Sequence, residues 1–157
     1  MDISHWITHR ADWSPDKIAV RFEGQEIAYA AMEARIAQLA GALRGLGVGQ
    51  GDRVAHLGLN SPLLLEMLFA CARLGAIFVP LNWRLTVAEH AFQIGDCTPS
   101  VLFAEPDWYG HGDQLRQQFP GLRTVAYGKP PDGDGWLDHA SLVGSAPEAE
   151  RDAGIDL

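Results

Sequence analysis

Cysteine is scarce in this sequence: the 157 residues contain two, Cys71 and Cys97. Cys71 lies inside a strongly apolar stretch, and Cys97 lies near the end of another predicted helix. A disulfide framework in a small secreted domain requires a denser set of cysteines. The two residues therefore indicate buried thiols in a reducing compartment, for which the cytoplasm is the default localisation.

Basic charge is also limited. Lysine and arginine total 12 against 20 acidic residues, and the formal net charge is −8. No cluster of basic side chains occurs, so the sequence has no electrostatic footprint for nucleic acid. The N-terminus, MDISHWITHR, lacks the apolar run behind a basic start that marks a secretory signal. The most apolar predicted helix, 62–74, is too short to cross a bilayer, so no transmembrane segment is predicted.

Several catalytic motifs are missing as well. The sequence contains no G-x-S-x-G elbow, no C-x-x-C and no recognisable pair of catalytic carboxylates. His5 and His9 are one helical turn apart, but Trp6 takes the place of the glutamate in the H-E-x-x-H zinc motif. We therefore predict surface histidines there, and no catalytic, cofactor-binding or metal-binding residue.

The glycine-rich run Gly45–Gly51 suggests a nucleotide-binding loop, which the pattern does not support. A dinucleotide fingerprint requires G-x-G-x-x-G between a strand and the helix that it opens. Counted from Gly47, the sixth position is Asp52, and here a predicted helix ends before a strand begins. These glycines are better interpreted as a helix C-cap and a turn.

What is present is organised around 51–85, a stretch that reads as strand, helix and strand. Arg53–Leu57 predicts the first strand, and Asn60-Ser61-Pro62 is a helix start signal in which a side-chain oxygen accepts a free backbone N–H. The helix over 62–74 is apolar on nearly every side, which predicts burial on more than one face. Gly75 ends it, and Ile77–Pro80 predicts a second, parallel strand.

The flanking segments extend this pattern. We expect a hairpin over 17–29, strands near 101–103 and 122–126, and one or two short helical turns over 136–143. A capping box, Thr86 with Glu89, opens another helix. The predicted fold class is α/β, a largely parallel sheet with helices on both faces, preceded by the short β-hairpin.

We predict one subdomain over 1–146, with the α/β core at 50–127. The acidic, polar segment 147–157 is predicted to be a linker to a further segment, so residues after about Pro147 should lack partners. Apolar surface left uncovered by that further segment would favour self-association, and a homo-oligomer is therefore possible.

Several of these motifs, taken in order, resemble a known family. They are Gly-Asp-Arg-Val at 51–54, the Asn60-Ser61 turn, the helix ending in Leu74-Gly75-Ala76, and Val79-Pro80-Leu81-Asn82 with Arg84-Leu85. The series is similar to the N-terminal part of the AMP-forming acyl-CoA synthetases, the adenylate-forming family that also contains luciferases and peptide-synthetase adenylation domains. The match extends more weakly from about Trp6 to the end. The family's Ser/Thr/Gly-rich phosphate-binding loop, which lies just beyond the matched region, is absent.

The resemblance implies a scaffold portion of an ATP-dependent carboxylic acid:CoA ligase, expected to be of the fatty-acid type. Such an enzyme uses ATP, Mg²⁺ and coenzyme A, and its partners here would be the rest of the parent enzyme and the carboxylic acid. The isolated chain is expected to be inactive. The alternative is a non-catalytic α/β binding or oligomerisation module.

The one candidate for ligand contact follows the second core strand. Asn82-Trp83-Arg84 lies just past the carboxyl end of a parallel strand, where open α/β sheets bind ligands. Trp83 could stack on a substrate, and Arg84 could meet a carboxylate or phosphate. In the structural alternative, Asn82 satisfies the turn backbone, Trp83 packs locally and Arg84 pairs locally.

Overall fold

A computed structural model describes residues 3–133 and 135–149 of the chain. Its elements, in chain order, are α1 (Trp6–Trp13), β1 (Ile18–Phe22), β2 (Gln25–Ala28), α2 (Tyr29–Gly45), β3 (Arg53–Leu57), α3 (Pro62–Leu74), β4 (Ile77–Leu81), α4 (Val87–Cys97), β5 (Val101–Ala104), α5 (Tyr109–Gln118), β6 (Arg123–Ala126), β7 (Trp136–Asp138) and α6 (His139–Ser145). Two 3₁₀ turns, Ile3–His5 and Pro106–Trp108, precede α1 and α5. In the described part of the chain, no helix is both long enough and apolar enough to span a membrane.

The main sheet has five parallel strands in the order β4-β3-β5-β6-β7. The strands β1 and β2 form a separate antiparallel hairpin. Its turn is Glu23-Gly24, and both residues have positive φ, 50° and 79°, as a two-residue type I′ turn requires. The predicted α/β fold with a preceding hairpin is confirmed.

Helices cover both faces of the sheet. On one face, α2, α3 and α6 pack against side chains that include Val54, Phe103 and Val125. On the other face, α4 and α5 pack through Ile94 and Leu115 against the intervening side chains of β3 and β5. Successive strand residues point to opposite faces, and both faces are apolar, so the central strand β5 is a continuous apolar run.

The helix α3 has seven buried residues out of thirteen, a larger share than the eight of seventeen in α2. It lies between the sheet on one side and α2 with the first 3₁₀ turn on the other. Its two charged residues, Glu66 and Arg73, are themselves buried. Arg73 pairs with Glu33 and Glu66 with Arg35, both on α2. The predicted burial of this helix is therefore confirmed, and its charges are accommodated by pairing with α2.

The start of α3 differs from the prediction. The helix begins at Pro62 as expected, but the side chain of Ser61 makes no cap hydrogen bond. The Leu64 N–H instead donates to the backbone carbonyl of Ser61 at 3.1 Å, and the hydroxyl of Ser61 has no partner among the described residues. Because the backbone already closes the first turn and Pro62 has no N–H to satisfy, the side-chain cap is dispensable here.

The start of α4 agrees with the sequence. The N–H of Glu89 donates to Thr86 Oγ1 at 3.4 Å, and the Glu89 carboxylate accepts from the Thr86 N–H at 2.8 Å. These are the two reciprocal bonds of the predicted capping box.

Residues 136–143 contain a strand that the sequence analysis did not predict. Trp136–Asp138 is β7, and only from His139 does a short helix follow. Three residues are too few to show a period-two pattern. The strand is stabilised by the β6 ladder and by Trp136, whose indole N–H donates to Asp113 of α5 at 2.9 Å.

The last described residues are also not free of partners. Ala149 is 3% exposed, its N–H donates to the Ala37 carbonyl at 3.0 Å, and its own carbonyl accepts from Arg73 at 3.1 Å. The expectation that residues after about Pro147 lack partners is therefore wrong for Ala149. The physical reason is a tertiary contact with α2 that composition does not reveal. Residues 150–157 lie outside the described part, so the linker and the proposed domain boundary stay predictions.

Candidate functional site

The strand order places the switch point of the sheet between β3 and β5. Chain connections leave these two neighbouring strands in opposite directions, and ligands of doubly wound sheets bind at the carboxyl ends of such a pair. Here Gly58 follows β3 and Glu105 follows β5. The Glu105 carboxylate accepts from the Leu59 N–H at 3.1 Å, and its side chain lies where a Cβ on Gly58 would be. A carboxylate therefore occupies the position where a phosphate would need positive charge or free N–H groups.

The Asn82–Leu85 turn is built at the carboxyl end of the neighbouring strand, β4. The N–H of Arg84 donates to Asn82 Oδ1 at 3.1 Å, and the N–H of Leu85 donates to the Asn82 carbonyl at 3.1 Å. An asparagine that bonds the backbone two residues on is a common turn former. The side chain of Asn82 therefore stabilises the turn, as the structural alternative requires.

The two candidate residues for ligand contact stack on each other. The Arg84 guanidinium carbon lies 4.4 Å from the centroid of the Trp83 ring, and Trp83 is 39% exposed. Trp83 contacts Trp108 edge-on with ring centroids 6.2 Å apart, and the Trp108 indole N–H donates to the Trp83 carbonyl at 3.2 Å. Among the described residues, Arg84 has no carboxylate partner. The positive charge of Arg84 is therefore available to a ligand. Trp83 packs locally, as in the structural alternative.

Beneath this turn lies a pair of histidines that the sequence analysis did not single out. His90 of α4 is 0% exposed, and its Nε2 lies 3.0 Å from the Asn82 carbonyl oxygen. Its Nδ1 lies 3.2 Å from Nδ1 of His111 on α5. Burial lowers the pKa of His111, and the neighbouring His90 lowers it further. The sequence signal was a histidine four residues after the capping threonine, on the face of α4 that contacts the sheet.

Residues 108–111 join the second 3₁₀ turn to α5. Trp108 ends the second 3₁₀ turn, and Tyr109 begins α5. The hydroxyl of Tyr109 donates to the Tyr127 carbonyl, and its ring lies 4.8 Å from that of Trp136. These contacts make the segment a local packing cluster.

A second set of buried polar rings lies on the opposite face of the sheet. The centroids of His56 and Tyr127 are 5.7 Å apart, and those of Tyr127 and His139 are 4.9 Å apart. Burial lowers the pKa of His56 to about 4, an effect that the Leu59 backbone partly opposes. Neither nitrogen of His56 has a well-formed hydrogen bond among the described residues. Burial also raises the pKa of Tyr127. These neutral rings face the helices, away from solvent, and are part of the core.

Burial disfavours the thiolate form of both cysteines. Cys71 is buried and free, and burial raises the pKa of its thiol to about 12. Burial raises the pKa of the partly exposed Cys97 thiol as well. Because the thiolate is the nucleophile, neither residue is suited to nucleophilic catalysis.

The pair His5 and His9 lies on one side of the N-terminal helical segment, with ring centroids 6.3 Å apart. Within residues 3–133 and 135–149, no group of three or more potential metal ligands comes together. The described residues also form no evident site for the phosphates of a nucleotide. Lys17 and Lys129, the two lysines, lie in exposed loops, and the switch point holds Glu105.

Comparison with known proteins relates this architecture to one family. The family described as AMP-binding enzyme matches residues 7–153. Indoleacetate–CoA ligase of Aromatoleum aromaticum is 42% identical over 95% of the chain, which spans 29% of that relative. Feruloyl-CoA synthase of Amycolatopsis is 48% identical over 67% of the chain, or 21% of that relative. The crystal structure of Mycobacterium tuberculosis fatty acyl CoA synthetase superposes with a TM-score of 0.82 at 27% identity, over 99% of this chain and 30% of that one.

Proposed function

The chain belongs to the AMP-binding enzyme family, and we propose that it forms the scaffold portion of an ATP-dependent carboxylic acid:CoA ligase. In the first half-reaction of such a ligase, a carboxylate oxygen attacks the α-phosphorus of ATP and pyrophosphate leaves. In the second, the thiolate of coenzyme A attacks the acyl carbon and AMP leaves. The match over residues 7–153 is the observation that carries this proposal.

The scaffold role is supported by what the described residues provide. Adenylyl transfer depends on positioning and on charge stabilisation by backbone N–H groups, lysine and Mg²⁺. The switch point instead contains the carboxylate of Glu105, and the net charge of −8 repels a nucleotide triphosphate. Since the chain spans 29% of the indoleacetate ligase, we propose that later segments of a longer enzyme hold ATP and Mg²⁺.

The acid substrate is proposed to contain an aromatic ring. The two relatives described above are named for indoleacetate and ferulate, and both acids join a ring to a carboxylate. The fatty-acid class expected from the resemblance has narrower support, from the structural similarity to the fatty acyl CoA synthetase. An aromatic acid is therefore the first substrate class to test.

Within this portion, Trp83 and Arg84 are proposed to contact ligand at the edge of the longer enzyme's site. Arg84 lies over the ring of Trp83 and has no ion-pair partner in the described part of the chain. A guanidinium held in this way can accept a carboxylate or a phosphate without losing an existing salt bridge. The exposed part of Trp83 offers an aromatic surface beside it.

The test is exchange of labelled pyrophosphate into ATP that depends on an added carboxylic acid. We expect no exchange with the 157-residue chain, and exchange with a form extended through the following few hundred residues, faster with indoleacetate or ferulate than with octanoate. Activity of the short chain would contradict the scaffold role. If a well-folded extended form shows no exchange with any of the acids, the ligase assignment is contradicted.

The role of Arg84 is tested in the same extended form by measuring complete acyl-CoA formation. Arg84→Ala should lower kcat/KM by roughly 10- to 100-fold, the range expected for losing a charge-assisted hydrogen bond. Arg21→Ala is the matched control, because Arg21 is an exposed hairpin arginine that pairs with Glu26. Equal effects of the two substitutions would exclude a ligand contact by Arg84.

No described contact specifically favours the alternative of a non-catalytic module. Homo-oligomer formation stays a prediction. Its basis is the edge strand β4, where Ile77 is 52% exposed.

A further inference from the structure

Among the described residues, His90 is the one side chain that binds the carbonyl at the base of the Asn82–Leu85 turn. The Asn82 carbonyl accepts from the Leu85 N–H at 3.1 Å and faces His90 Nε2 at 3.0 Å. His90 is completely buried, so water does not compete for this bond. Losing one partner of a buried hydrogen bond leaves an unsatisfied polar group, so the contact constrains the turn.

The hydrogen-bond geometry determines the tautomer of each ring. A carbonyl oxygen can only accept, so His90 Nε2 carries the proton and donates to Asn82. His90 Nδ1 is then the acceptor, and the proton between the two rings belongs to His111 Nδ1. The reverse assignment would place the lone pair of Nε2 against the lone pairs of the carbonyl at 3.0 Å. The chain of donors therefore runs from His111 to His90 to Asn82.

We propose that His90, supported by His111, is a positioning residue that holds the Asn82–Leu85 turn, and that the pair maintains this hold with one added proton but not with two. The first proton is accepted by Nε2 of His111. This nitrogen has no hydrogen-bond partner in the described structure and is not fully buried. This leaves the Nδ1–H donor in place. A second proton would put two N–H groups face to face at 3.2 Å and break the contact.

Few other charges oppose or assist this pair. On α4, the Glu89 carboxylate is bonded to Thr86. The turn contributes Arg84, which lies on Trp83. On α5, Asp113 is paired with Arg116. Among the described residues, no carboxylate forms an ion pair with either imidazole; the Glu89 carboxylate interacts with His90 only electrostatically.

The protonation state of the two histidines makes the order of the turn depend on pH. Because the pKa of His111 lies below the ordinary 6.5, the ring of His111 is mostly neutral at neutral pH. The consequence for ligand binding rests on the proposed role of Trp83 and Arg84. The contact between His90 and the turn does not depend on that role, because it can be measured without ligand.

The test is NMR of the 157-residue chain with ¹⁵N-labelled histidine, read together with exchange of the Leu85 amide and the Trp108 indole N–H. At pH 7.5, we expect the Nε2–H tautomer for His90. As the pH falls below the ordinary pKa of histidine, the ring of His111 should take up a proton while both exchange rates stay constant after correction for pH. At lower pH, the turn should lose protection before the Val101 amide, which reports on the sheet.

Two variants separate positioning from general stability. His90→Gln keeps a donor for Asn82 and an acceptor for His111 but does not titrate, so the turn should stay protected at every pH at which the sheet is folded. His90→Leu removes the donor and should accelerate exchange of the Leu85 amide roughly tenfold. His9→Gln, at an exposed position on α1, should behave as the unmodified chain.

Three results would overturn the proposal. They are an Nδ1–H tautomer on His90, a turn that opens with the first proton, and a Val101 amide that loses protection before the turn does. None of them depends on ligase activity, so a failed pyrophosphate-exchange assay leaves this test intact.

Discussion

At the scale of single residues, this fold buries several polar atoms that have no partner among the described residues, and each such atom costs free energy. His56 is 1% exposed, and neither of its nitrogens has a well-formed hydrogen bond among the described residues. It contacts the rings of Phe78 and Tyr127, so it packs as a neutral aromatic ring and does not act as a base. A buried neutral histidine must be protonated when the protein unfolds in acid.

This burial makes stability depend on pH. The pKa of His56 is about 4 in the folded chain against an ordinary 6.5, so the unfolded state binds more protons between these values. Stability contributed by the neutral ring is complete above pH 6.5 and falls as pH drops, by up to about 3 kcal/mol at pH 4. Urea unfolding of His56→Phe should show a shallower loss than the unmodified chain over this window. His9→Gln should leave the slope unchanged, and an unchanged slope in His56→Phe would refute the assignment.

At the scale of elements, the far edge of the sheet depends on one close contact. The short strand β7 pairs with β6, and Trp136 fixes it to α5. A Cβ on Gly112 of α5 would come within 2.6 Å of Trp136 Cζ2. Glycine is therefore required at this position because the indole ring lies directly on the helix backbone.

The contact predicts opposite effects for two glycines of the same helix. Gly112→Ala should destabilise the chain by about 1–3 kcal/mol, because the indole must move or the helix must shift. Gly110→Ala, where no atom lies within 4 Å of the added Cβ, should stabilise it by up to about 1 kcal/mol through helix propensity. Chemical denaturation of both variants provides the measurement. Equal and favourable effects would show that Trp136 does not pack as described.

At the scale of the whole molecule, the end of the described chain closes over the first helices. The segment Ala146–Ala149 crosses α2 at Gly41, where an added Cβ would overlap the carbonyl oxygen of Pro147. Arg73 then joins Ala149 to Glu33 and Thr8. One buried guanidinium thus connects α1, α2, α3 and the C-terminal segment.

Displacing this segment should be possible with one methyl group. In Gly41→Ala, we expect the Ala149 amide to lose its protection against hydrogen exchange and stability to fall by about 1–3 kcal/mol, since the new methyl group collides with backbone. Gly45→Ala lies in the same helix with no atom within 4 Å of the added Cβ and should leave that amide protected. An Ala149 amide that exchanges freely in the unmodified chain would show that the contact is absent in solution.

Local patterns in the sequence determined the elements and their order. The hairpin turn at Glu23-Gly24, the capping box at Thr86 and the apolar helix over 62–74 each depend on residues close in the chain, so they could be predicted without knowing the fold. The parallel strands followed because a helix between two strands is the usual crossover connection of a parallel pair, and such a crossover is right-handed. The family resemblance rests on this same ordered series and is confirmed by the match over residues 7–153.

Tertiary structure alone decided which polar groups meet. His90 and His111 are 21 residues apart, and Arg73 and Ala149 are 76 apart, so no local period signals either contact. The strand β7 and the docking of Ala149 were missed for the same reason, since each is stabilised by partners distant in sequence. Glu105 at the switch point is the clearest case. Its carboxylate reaches the end of β3 only because β4 lies on the other side of that strand, and strand order is a property of the assembled sheet.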